Sequence, residues 1–161
     1  MTRVVVAGLG NDLRRDDGVG PAVMLRVARS AGPGVTVVVN AGEPADLLEA
    51  WRHADVAIVV DAMDAGLEPG ATRRIEAGAT DGQGALADAA PFPGSASSHL
   101  LPLSSVVELA RALDAMPGRL LIFGVQGAAF GYGEGLTPEV ERAVERVAAE
   151  ILDEVGAAFA P

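Results

Sequence analysis

The sequence predicts an α/β protein, a three-layer α/β/α sandwich around a mostly parallel sheet of about five strands, and three observations carry that prediction. Aliphatic, β-branched runs recur along the chain and alternate with stretches of helical pattern, the order that a parallel sheet requires. Half of the 161 residues are hydrophobic but only 4% are aromatic, so the core has to be built from Val, Leu, Ile and Ala. Glycine-rich loops follow the first and the last apolar runs, where buried strands surface. The length suits one domain spanning residues 1–161, with no internal repeat.

Residues 4–7 (Val-Val-Val-Ala) are continuous and β-branched, as expected of a strand buried on both faces. Gly8-Leu9-Gly10-Asn11 then permits a sharp turn, Asp16-Asp17 stand in the loop, and a helix is expected to start at Pro21 and end near Ser30. Residues 35–39 read as the second strand. Residues 45–53 read as a helix with Leu47, Leu48 and Trp51 turned inward, and residues 56–60 as a third strand ending on Asp61. Residues 71–76 carry charges and are expected at a sheet edge. Residues 77–98, rich in Ala, Gly, Asp and Ser, have no period and are expected to be a long loop delivering Ser97-Ser98-His99. Val106, Val107, Ala110 and Leu113 mark a helix, Leu120 to Phe123 the last strand, and a second glycine loop follows from Gly124. Thr137 and Pro138 have the signature of an N-cap and first helical residue. Behind them Val140, Val144, Val147, Ile151 and Val155 form the stripe of a C-terminal helix.

Composition excludes several chemistries. The net charge of −10, with twelve arginines and no lysine, opposes binding to nucleic acid or an anionic membrane. Cysteine is absent, which removes disulfides, thiolate metal sites and cysteine nucleophiles. Without a signal-like start or a membrane-length apolar run, a cytoplasmic protein is expected. The first glycine loop lacks the third glycine of GxGxxG and carries two acids where a pyrophosphate needs amide donors, which argues against a dinucleotide site.

Asp16 or Asp17 after the first strand and Asp61 at the end of the third share the carboxyl edge of a parallel sheet, and the long loop can bring His99 over it. Two carboxylates and an imidazole suit zinc, nickel or a similar divalent ion with positions left open. Each residue also has a plainer use: loop acids hydrogen-bond loop amides, and a histidine before a helix can cap it. His53 is expected at the surface, and Glu43 and Asp64 in solvent.

Gly8-Leu9-Gly10-Asn11, Leu13, Asp16-Asp17-Gly18-Val19-Gly20, the VVDA ending at Ala62, the SSH ending at His99, FGVQG and GEGLTPEV ending at Val140 occur in register along nearly the whole chain. Together they resemble the hydrogenase maturation endopeptidases. The resemblance implies a hydrolase that removes a C-terminal extension from the large-subunit precursor of a nickel-iron hydrogenase once nickel is inserted. It implies Asp17, Asp61 and His99 as the metal-contacting, catalytic residues, with Asn11, Asp16 and the glycines as shape-setting support. Backbone groups of the loops from Gly42 and Gly127 would complete the cleft. The divalent metal would be nickel carried by the precursor, with zinc or cadmium able to take its place, and the protein is expected to be a monomer. Where the family commonly has an Asp-Gly-Gly-Thr segment after its second strand, this chain has Asn40-Ala41-Gly42-Glu43. A non-catalytic nickel-sensing or scaffold protein that binds the precursor is the alternative. Peptidyl-tRNA hydrolase shares the Gly-Leu-Gly-Asn opening, but its RNA-binding role disagrees with the negative charge.

Overall fold

The computed structural model describes residues 1–41, 43–78 and 103–161. Five strands form one sheet: β1 (Val4–Gly8), β2 (Val35–Val38), β3 (Val56–Met63), β4 (Thr72–Gly78) and β5 (Arg119–Gln126), in the order β2-β1-β3-β5-β4. β2, β1, β3 and β5 run parallel, and β4 pairs antiparallel with β5 at the edge, as its charges led us to expect.

Among the described residues four α-helices cover the two faces: α1 (Val19–Ser30), α2 (Pro44–Trp51), α3 (Leu103–Ala112) and α4 (Pro138–Phe159). Strand periodicity divides the core in two. Val4, Val6, Ile58, Val60, Leu121 and Phe123 meet α1 and α4 on one face. Ala7, Ala57, Val59, Met63, Leu120 and Ile122 meet α2 and α3 on the other. The stripe Val140, Val144, Val147, Ile151 and Val155 is buried throughout, each such aliphatic side chain contributing roughly 1.5–3 kcal/mol. Leu47, Leu48 and Trp51 are buried as expected, while Leu113 lies past the end of α3 and is exposed.

Three boundaries differ from the sequence reading in ways that matter. α1 starts at Val19, preceded by a 3-10 turn over Arg15–Gly18, so the two acids sit in helical backbone rather than an open loop. β3 continues to Met63, which places Asp61 inside the strand opposite Gly124 rather than at its end. β5 runs to Gln126 because Gly124 and Val125 stay in register with Asp61 and Ala62, so the second glycine loop starts only at Gly127.

From β1 the chain moves to β2 on one side and then crosses to β3 on the other, so the topological switch point lies at the carboxyl ends of β1 and β3. The crevice there is narrow because backbone approaches backbone. Leu9 N–H donates to Val60 O at 2.9 Å and Ala41 N–H to Gly8 O at 2.9 Å. A Cβ on Gly20 would meet Leu9 O and, at 2.8 Å, both Leu9 N and Val60 O. Gly20→Ala is therefore expected to lose roughly 1–3 kcal/mol of stability, read as a lowered denaturation midpoint; an unchanged midpoint would show that this approach is not a packing constraint.

Candidate functional site

Asp16 and Asp17 are neighbours with opposite surroundings. Both are buried by the 3-10 turn, which points consecutive side chains in different directions. Asp16 turns toward the second glycine loop. Its Oδ2 accepts hydrogen bonds from the N–H groups of Ala128 (2.7 Å) and Ala129 (3.0 Å) and from the Thr137 hydroxyl (2.8 Å). Its Oδ1 accepts from Thr137 N–H at 2.8 Å. Burial alone would raise its pKa, but these donors outweigh burial and hold the carboxyl below its ordinary 3.8. Thr137 is the N-cap residue of α4 as expected, yet no side-chain cap bond forms, and Asp16 supplies the negative charge at that helix end.

Asp17 turns toward the first glycine loop, where its Oδ2 accepts Asn11 N–H at 2.8 Å. Asn11 Oδ1 in turn accepts Leu13 N–H at 2.9 Å, an Asx turn that shapes the loop around the carboxylate. A Cβ on Gly10, whose φ is +127°, would collide with Asp17 O, so only glycine lets the two segments close. Asn40 donates its side-chain amide to Gly10 O at 2.9 Å and pins the loop from the β2 side.

Asp61 lies on the sheet face shared by Val59 and Met63 and is 1% exposed. Among the described residues its Oδ1 accepts no hydrogen bond. Burial and then repulsion from Asp17 push its pKa well above the ordinary value, and the Ala62 N–H lowers it only in part. Asp17 and Asp61 thus face one another electrostatically across the switch point, although 44 positions of sequence separate them. Acceptor-only groups crowded in this way fit a divalent cation, which turns their repulsion into shared attraction. Among the described residues no group of three or more His, Cys, Asp or Glu stands close enough to hold a metal ion.

His99, the imidazole candidate, lies outside the described residues, as does Gly42. His53 is exposed, with φ of +67°, and takes no part. Glu43 forms a capping box with Asp46 at the start of α2, which occupies it as a helix cap. Asp64 is exposed beyond β3. One residue was missed. Gln126, 3% exposed, accepts Ala65 N–H (2.8 Å) and Leu67 N–H (3.3 Å) and donates to Gly127 O (2.7 Å), so it secures the chain leaving β3 just beyond Asp61. A polar residue closing the apolar run of β5 was the available signal.

Against known proteins, the sequence model of the family described as "Hydrogenase maturation protease" matches residues 24–154, a span that includes Asp61 and His99 and starts beyond Asp17. The chain is 31% identical over 159 residues to the hydrogenase expression/formation protein HupD of Thiocapsa roseopersicina, a match covering 90% of this chain and 67% of that protein. It superposes with a TM-score of 0.76 on the hydrogenase maturating endopeptidase HybD from E. coli, at 20% identity over 98% of this chain and 94% of the other. It superposes with a TM-score of 0.65 on the NiFe hydrogenase maturation protease HycI from Thermococcus kodakarensis KOD1, at 26% identity over 94% and 91% of the two chains.

Asp16 and Asp61 have opposite effects on stability as pH changes. Between the lowered folded pKa of Asp16 and 3.8 the unfolded chain binds more protons, so the stabilisation by Asp16 is complete above that window and lost as pH falls through it. Between 3.8 and the raised pKa of Asp61 the folded state holds the extra proton, so Asp61 costs stability as pH rises. In metal-free protein at pH 7, Asp16→Asn is expected to lower the melting temperature, with a loss of about 3 kcal/mol or more for orphaned donors. Asp61→Asn is expected to raise it. Calorimetry of the two variants checks both signs, and a fall for Asp61→Asn would contradict the strained-carboxylate assignment.

Proposed function

This chain belongs to the hydrogenase maturation protease family, and from that premise we propose that it removes the C-terminal extension of a nickel-iron hydrogenase large-subunit precursor after nickel insertion. The observation that carries the proposal is the buried, mutually repelling Asp17–Asp61 pair at the switch point. Two carboxylates and the His99 imidazole leave coordination positions open, so such a set suits an ion that arrives with ligands of its own. In this reading the nickel is part of the substrate. Asp17 and Asp61 hold the ion already ligated by the precursor, and His99 supplies a nitrogen donor. A precursor without nickel leaves the two carboxylates repelling each other, which weakens its binding.

The reaction is hydrolysis of one peptide bond: water oxygen joins the carbonyl carbon, and the amide nitrogen leaves with a proton. Asp16 and Gln126 act on neither atom; they hold the loops that flank the pair. Zinc or cadmium suits the same donors and would compete for the site. We place the protein in the cytoplasm as a monomer whose partner is the precursor. No helix among the described residues is long and apolar enough to cross a membrane, and the charge of −10 disfavours nucleic acid.

Co-expression with a large-subunit precursor, with and without nickel, followed by intact-mass analysis tests the proposal. The expected result is nickel-dependent loss of a C-terminal peptide. Asp17→Asn, Asp61→Asn and His99→Ala should each reduce cleavage by at least roughly 100-fold, since even outer partners of a metal site cost 10–100-fold. Stable binding of the precursor with no change of mass would sink the protease reading and favour a scaffold.

A further inference from the structure

We propose that Arg73 is a specificity-determining residue that binds a carboxylate on the precursor's C-terminal extension, across a glycine gap from Asp61; this rests on the proteolytic reading above. The two residues lie in one cross-strand row. Asp61 of β3 pairs with Gly124 of β5, and Gly124 pairs with Arg73 of β4. Side chains alternate along a strand, and Ile75 and Ala77 of β4 pack in the same cluster as Val59 and Met63 of β3. Arg73 therefore stands on the same sheet face as Asp61. Two interstrand spacings put their backbones roughly 10 Å apart, and Gly124 brings no side chain between them.

Arg73 is the charged residue of β4 that the fold does not use. Arg74, on the opposite face, donates to Glu154 Oε1 of α4 at 2.6 Å, and Glu76, on the same face as Arg74, pairs with Arg119. Arg73 is half-buried, and among the described residues its side chain makes no hydrogen bond or ion pair. The neighbouring rows offer it no acceptor. Val59, Ile122 and Ile75 lie on one side. On the other, Gln126 directs its amide oxygen to Ala65 and Leu67 N–H and its amide nitrogen to Gly127 O. Asp61 is equally unmatched: its Oδ1 accepts nothing among the described residues, and the charge bearing on its carboxyl is that of Asp17, not of Arg73.

Charge is therefore ordered across the sheet: Asp17 after β1, Asp61 in β3, the side-chain-free Gly124 in β5 and Arg73 in β4. The complement of this row is a ligand with a cation at one end and an anion at the other. A bare divalent ion satisfies the acids and leaves Arg73 unmatched. A polypeptide that brings both the ion and a carboxylate satisfies the whole row. Arginine suits a carboxylate because its planar fork makes two parallel N–H···O bonds. The extension has two sources of that group, an acidic side chain and its terminal carboxylate.

Calorimetry with nickel-loaded precursor gives Kd, and steady-state cleavage gives KM and kcat. Arg73→Ala should raise Kd and KM about tenfold, the loss of one charge-assisted pair, with kcat within about twofold of wild type. Its melting temperature should match wild type, because Arg73 has no partner to lose among the described residues. Arg73→Lys keeps the charge but not the fork and should fall between the two. Arg74→Ala removes the same charge from the opposite face and should leave Kd unchanged, which separates a specific contact from a general charge effect. Two altered precursors locate the carboxylate: one with the Asp and Glu of the extension changed to amides, the other lengthened by several glycines beyond its natural end. The source is identified by the form that binds wild type about tenfold more weakly and Arg73→Ala no more weakly than before. Wild-type Kd and KM for Arg73→Ala, an equal loss for Arg74→Ala, or full-strength binding of both altered precursors would overturn the assignment. Binding without cleavage by the wild type would instead overturn the protease reading, and the Kd series would still decide the role of Arg73.

Discussion

Asp16 is a buried carboxylate with no basic partner among the described residues, and a charge so placed persists because four protein donors surround it. Those donors come from the second glycine loop and from Thr137, the N-cap of α4, whereas Asp16 itself belongs to the turn after β1. One side chain therefore joins the two ends of the chain at the functional edge of the sheet. The backbone zipper of residues 13–16 with 129–133 forms around it, and the position of Asp17 follows from its neighbour's.

Asp16 and Asp61 differ in how far the surrounding protein satisfies a buried carboxyl group. Asp16 is fully supplied with donors, lies below its ordinary pKa and has no capacity left for a ligand. Asp61 has an oxygen that accepts nothing among the described residues and a pKa pushed upward by burial and by Asp17. The first arrangement stabilises the fold; the second strains it.

Glycine placement serves geometry rather than anion binding. Gly8 and Gly20 allow α1 to press on the β1 turn, and Gly10 allows that turn to reach the backbone of Asp17. With side chains at these positions the switch point would open and the two carboxylates would separate.

The residues alone determined the fold class, most elements and the candidate acids, because these depend on local chemistry. β-branched runs, the stripe on α4, the cap at Thr137 and the order of the motifs are all readable within short windows. Two adjacent acids are locally alike, so the sequence carried no signal for which of Asp16 and Asp17 the amides of the second glycine loop would hold. The path of β3 past Asp61 depends on its pairing with β5, and the buried anchoring by Gln126 depends on the loop after β3. Tertiary structure alone decided that Asp16 would be satisfied by residues 128–137 while Asp61 would face Asp17. The physical reason is that hydrogen-bond satisfaction and repulsion act through space, between segments whose separation in sequence carries no signal of their contact.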